Sequence, residues 1–123
     1  MSQFRPLDPN FPFERQLAVD ATGPVVLVNL ITLDKADEEA FLQTWREDAL
    51  FMKQQPGFIS TQLHRALGES PTYLNYAVFA SMEEYRIAFM HPEFMARISA
   101  HPSSVVASPH LFQTVAVPEI CEA

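Results

Sequence analysis

Apolar positions along the chain follow three patterns, and each predicts a different kind of element. Residues 25–33, Val-Val-Leu-Val-Asn-Leu-Ile-Thr-Leu, are a β-branched run too short and too uniformly apolar for an amphipathic helix, so they predict a strand covered on both faces and interrupted by Asn29. Asp34, Asp37, Glu38 and Glu39 then place acid where a helix begins, and Phe41, Trp45, Ala49 and Met52 recur at helical spacing before Pro56-Gly57 ends the helix near Gln55. Residues 58–66 alternate, with Ile59 and Leu63 assigned to one face, and Gly68-Glu69-Ser70-Pro71 turns the chain. Residues 72–80 return as the second half of a hairpin, with Tyr73, Asn75, Ala77 and Phe79 on one face and Leu74, Tyr76 and Val78 on the other. Ser81 followed by Glu84 is a capping-box pattern for a helix over 82–90, and Pro92 opens another to about Ala100. Pro102 and Pro109 bracket a loop, and Leu111, Phe112, Val115 and Val117 give a last strand over 110–117.

The segment before this pattern contains Pro6, Pro9, Pro12 and Pro24, and reads as an extended arm. Its Phe4, Phe11 and Phe13 are too apolar for a free tail, so the arm is expected to pack over the domain or over a partner subunit. The chain thus divides into a Pro-rich arm over 1–24, a domain over 25–118 and a tail over 119–123. Strand, helix, strand, strand, paired helices, strand is the order of an α+β, ferredoxin-like βαββ(αα)β sandwich with an antiparallel sheet. One layer of helices covers only one face of such a sheet. Both faces of these strands are apolar, so a second copy is expected against the other, giving a homodimer.

Composition and charge narrow the function. With 123 residues, 48% hydrophobic, 10 Pro and 3 Gly, the chain is an ordered single domain that needs no disulfide or metal to hold a core. A net charge of −7 repels phosphate backbones and anionic lipid, which argues against nucleic-acid or membrane partners. A single cysteine, Cys121, and the lack of a signal-like or membrane-spanning run fit a cytoplasmic protein. His64, His91, His101 and His110 are scattered without metal-ligand spacing, and no Gly-rich loop follows a strand, so neither a metal nor a flavin or nicotinamide cofactor is expected.

The junction Gln55-Pro56-Gly57-Phe58, the stretch Tyr73-Leu74-Asn75-Tyr76-Ala77-Val78-Phe79 and the element order resemble the antibiotic biosynthesis monooxygenase family over about 25–117. That resemblance implies a dimeric α+β barrel. In the anthrone oxygenases of that family, an asparagine four residues before a tryptophan and a tyrosine six residues after it line the pocket; Asn75 and Tyr85 match, and Phe79 stands where the tryptophan would be. Phe79 keeps an aromatic wall and loses the indole donor. Asn29 matches a first-strand asparagine of some of these oxygenases, and Arg97 is the nearest candidate for a helix arginine, out of register by a residue or two. The heme-degrading branch shares Asn29, but its pocket tryptophan and iron-binding histidine fall near Ala88 and Ile98. His101, three residues further along the expected helix, is rotated away from the histidine's direction.

Oxygenation without a cofactor is physically reasonable for an electron-rich hydroxylated aromatic, because its anion can itself give an electron to dioxygen. The protein must exclude water, hold the rings and stabilise the oxyanion with neutral donors, a task suited to Asn29, Asn75 and Tyr85. Phe79, Trp45, Tyr73, Arg97 and His64 are then candidate substrate contacts. Each has an ordinary alternative. Asn29 can satisfy a strand irregularity, Tyr85 can anchor its helix, Trp45 can be core, and His64 or His91 can be a surface or capping residue. The resulting expectation is a monooxygenase that converts a polyphenolic or anthrone-like aromatic to a quinone with O2. The alternatives are a non-catalytic small-molecule binding protein, or an isomerase or cyclase, which would require a positioned acid–base residue.

Overall fold

The computed structural model describes residues 3–123; the first two residues of the arm lie outside them. The apolar run forms β2 (Val25–Thr32), and two strands flank it by antiparallel pairing, β4 (Thr72–Phe79) and β5 (Val106–Phe112), while its face away from the helices leaves Leu30 exposed. β3 (Phe58–Arg65) pairs antiparallel with β4, and the two-residue β1 (Gln3–Phe4) adds to β5 in parallel, giving the order β1-β5-β2-β4-β3. With helices α2 (Glu38–Lys53), α3 (Met82–Met90) and α4 (Pro92–Ile98), this is an α+β, ferredoxin-like fold. Among the described residues no helix is long and apolar enough to cross a membrane.

Local chemistry sets the element ends. At the start of α3 the Glu84 amide donates to Ser81 Oγ at 3.1 Å, and Ser81 Oγ donates to Glu84 Oε1 at 3.0 Å. His91 caps α4 by accepting from the Glu93 amide at 3.1 Å, with Pro92 in the first turn. After α2 the chain reverses at Gly57, whose φ of +86° and whose closeness to Glu84 leave no room for a side chain: a Cβ there would lie 2.5 Å from that carboxyl group.

Three expectations are corrected. The last strand starts at Val106 and runs through Pro109, because β1 pairs only with Val106 and Ala107; beyond them β5 has a free edge where a residue without an N–H is tolerated. Helix α4 stops at Ile98 with Ser99 as its cap, short of Ala100. A bulge between Phe58 and Ser60 shifts the alternation of β3, so Ile59 is 55% exposed while Leu63 packs inward. The arm also folds onto its own domain. A short helix, α1 (Phe13–Gln16), buries Phe13 beside Tyr85 and Phe89, and Arg86 donates to the carbonyls of Leu17 and Val19.

The core is divided. One cluster joins Phe13, Val25, Phe79, Met82, Tyr85 and Phe89; the other joins Ile31, Leu33, Phe41, Tyr73, Val105 and Ala107. On the opposite face of the sheet Leu30, Tyr76 and Phe112 are 37%, 39% and 42% exposed.

Candidate active site

Between the two halves of the core lies a cavity of about 120 Å³, with Phe79, Tyr85 and Phe89 from one and Ile31, Phe41 and Val105 from the other in its walls. A gap between sheet and helices in an interior that is otherwise close-packed is a place for a ligand. Its sheet wall carries two amides. Asn29 and Asn75 are direct register partners on β2 and β4, on the side chains' helix-facing phase, and both line the cavity. Thr61 on β3 donates to Asn75 Oδ1 at 2.7 Å, which fixes the amide and leaves its NH2 group for another partner. Asn29 Oδ1 is buried and has no hydrogen-bond partner among the described residues, a cost of ~1–3 kcal/mol that a bound donor would relieve.

The helix wall is aromatic and aliphatic. Trp45, Ala49 and Met52 reach it from the predicted stripe of α2, so Trp45 is both core and cavity wall. Phe79 and Tyr85 meet edge to face at 5.2 Å, and Tyr85 stacks on Phe89 at 6.0 Å. Burial pushes the Tyr85 phenol well above its ordinary pKa, so it is a neutral donor at physiological pH.

A carboxylate–imidazole pair in the same wall escaped the sequence reading. Asp48 Oδ2 lies 2.6 Å from His101 Nε2, and His101 Nδ1 lies 2.7 Å from Thr44 Oγ1. The side chains of His101 and Asp48 are 11% and 16% exposed, and both line the cavity. His101 gets there because α4 has already ended; the expected rotation along a helix does not apply to it. Asp48 had a signal: it sits three residues after Trp45 and four before Met52, a carboxylate on the apolar stripe.

Three other expected contacts lie elsewhere. Tyr73 faces the helices, but its hydroxyl is taken by Glu38 Oε1 at 2.7 Å, and Arg65 grips the same carboxylate at 2.8 and 3.2 Å. Hydrogen bonds from Arg65 and then Tyr73 hold the Glu38 carboxyl down at about 2, while burial, and then Glu38, raise the Tyr73 phenol. His64 pairs with Leu74 on the far face of the sheet, where its ring reaches the Leu74 carbonyl. Arg97 is bound to Glu93 at 2.9 Å, one turn back on α4, and lies 5.9 Å over the Phe51 ring, away from the cavity. His91 is spent on the α4 cap. Among the described residues no group of three or more His, Cys, Asp or Glu side chains is placed to hold a metal ion.

Residues 24–99 match the family described as antibiotic biosynthesis monooxygenase, and the chain belongs to that family. Among solved structures it is similar to SnoaB, a cofactor-independent oxygenase from Streptomyces nogalater, with a TM-score of 0.72 and 24% identity over 80% of this chain and 99% of that one. A proposed monooxygenase of Shewanella loihica gives a TM-score of 0.67 and 25% identity over 79% and 99% of the two chains. A proposed antibiotic biosynthesis monooxygenase of Caulobacter crescentus gives 0.66 and 21% over 77% and 92%. No match is found among curated proteins.

Proposed function

We propose that this family member is a cofactor-independent monooxygenase that oxidises a polyphenolic or anthrone-like aromatic to a quinone with O2. The observation that carries the reading is the apolar cavity with Asn29 and Asn75 side by side in its sheet wall, one with a buried unpartnered oxygen and the other with its NH2 group free. Family membership and the likeness to a cofactor-independent oxygenase support it.

In this reading the aromatic lies between the sheet and α2, against Phe79 and Trp45, with its oxygens toward Asn29, Asn75 and Tyr85. Loss of a proton leaves an anion whose charge the neutral amide and phenol donors stabilise in a water-poor site. The anion gives electrons to O2. For an anthrone, both C–H bonds of the methylene break, one oxygen atom becomes the new carbonyl and the other leaves as water.

The reading includes a homodimer in which the face bearing Leu30, Tyr76 and Phe112 meets a second copy, since so much apolar surface on one sheet is costly in water. The test of function is oxygen uptake with dithranol, a simple anthrone, using metal-free protein. Uptake with quinone formation that falls in Asn75→Ala is expected; binding without uptake above the buffer rate would instead make the chain a binding protein.

A further inference from the structure

The amides and the phenol of the cavity can stabilise an anion, but none of them can make one, since none is a base at neutral pH. We propose that Asp48 is the proton acceptor of this cavity and that His101 positions it. The inference rests on the oxygenase reading and supplies the step that reading lacks.

The geometry holds the ring in place. The Thr44 hydroxyl lies within donating distance of the Phe41 and Ala40 carbonyls, at 3.0 and 3.2 Å, and its oxygen is 2.7 Å from His101 Nδ1. Nε2 faces the Asp48 carboxylate, which as an acceptor-only group takes a hydrogen bond from the ring at Oδ2 over 2.6 Å. The imidazole is fixed at both nitrogens and is itself unable to take a substrate proton directly. Asp48 Oδ1 carries no hydrogen bond among the described residues, and Asp48 lines the cavity from α2, opposite the sheet wall of Asn29 and Asn75. A ring system lying between these walls thus meets a carboxylate on one side and amide donors on the other.

The step is a simple proton transfer. An acidic C–H or O–H bond of the bound aromatic breaks, its electron pair stays on the substrate as a carbanion or phenolate, and the proton goes to Asp48 Oδ1. The charge moves from the carboxylate to the substrate, where Asn29, Asn75 and Tyr85 receive it. The other charged groups about the pair are Glu47 on α2 and Arg97 on α4; the latter is tied to Glu93 and feels both Asp48 and Glu47, so it remains a cation beside the pair. The Phe41 ring packs against the imidazole, its centroid 5.7 Å from that of His101.

The test separates proton removal from oxidation. Dithranol is titrated into the protein without oxygen at neutral pH, and binding is followed by quenching of Trp45, the chain's one tryptophan, which lies in the cavity wall. The absorbance of the bound ligand reports whether it is neutral or ionised. We expect the unaltered protein to ionise it. Asp48→Asn should bind within a few-fold of the same midpoint and leave the ligand neutral, with aerobic oxygen uptake down ~100-fold or more. His101→Gln, which keeps a donor toward Asp48 but loses the fixed ring, should ionise the ligand partially and lose ~10-fold in uptake. Ionisation in Asp48→Asn equal to that of the unaltered protein overturns the proposal, as does a bound ligand that stays neutral in a protein that consumes oxygen. Dithranol that neither quenches Trp45 nor changes its spectrum overturns it too. Ionisation that depends on Asp48 without any oxygen uptake supports the proton acceptor while removing the oxygenase reading in favour of an isomerase.

Discussion

Asn29 and Asn75 occupy the same register position on adjacent antiparallel strands, so two amides meet on one patch of sheet inside an apolar cavity. Removing one donor from such a site costs roughly 10²–10³ in turnover in comparable oxyanion sites. Asn75→Ala is expected to lose oxygen uptake in that range, and Thr61→Val, which only frees the amide to rotate, to lose ~3–10-fold. If both amides serve one oxygen, the double variant of Asn29 and Asn75 will lose less than the product of the single losses, as measured by initial rates.

The unpartnered face of the sheet predicts an oligomeric state. Light scattering at micromolar concentration should give about 28 kDa, twice the 13.9 kDa of the chain. Tyr76→Arg places charge at the middle of that face and should return the mass to that of the monomer, leaving the helix-side cavity in place.

The arm should behave as part of the folded domain. Phe13 is 6% exposed and packs edge to face with Phe89 at 5.2 Å, so Phe13→Ala is expected to cost ~3–5 kcal/mol in urea unfolding. Phe11, half-buried beneath Arg15, should cost under ~1 kcal/mol when changed in the same way.

Acid stability should depend on Glu38. Its carboxyl is held at about 2 in the folded protein, below the 4.5 of a free glutamate, so the folded state favours the ionised form. That contribution is complete above about pH 4.5 and is lost as pH falls toward 2. Melting temperatures followed from pH 6 to 2 should therefore fall less steeply in Glu38→Gln, by no more than a few degrees, because Arg65 is partly solvated.

Much of the fold was legible in the sequence because each local signal agreed with its neighbours. The uniform apolar run became the central strand, the stripe of Phe41, Trp45, Ala49 and Met52 became the inner face of α2, and the Ser81–Glu84 and Pro92 signals opened α3 and α4. What failed did so for tertiary reasons. Pro109 reads as a strand breaker until β1 is seen to stop short of it, and Ile59 reads as an inward residue until the bulge shifts the phase. The cavity residues Asn29, Asn75, Phe79, Tyr85 and Trp45 could be found from alternation and resemblance. His101 could not, since 53 residues separate it from Asp48 and no periodicity links a bend to a helix.

The stretch that matches the family runs from 24 to 99, yet the walls of the cavity draw Phe4 from before it and His101, Val105, Ala107 and Pro109 from after it. Two members that agree throughout the shared stretch can accordingly enclose different volumes and present different charges to what they enclose. On the oxygenase reading, Phe4 and His101 are the wall residues freest to diverge, because Ala107 and Pro109 belong to β5 and are held in register against β2.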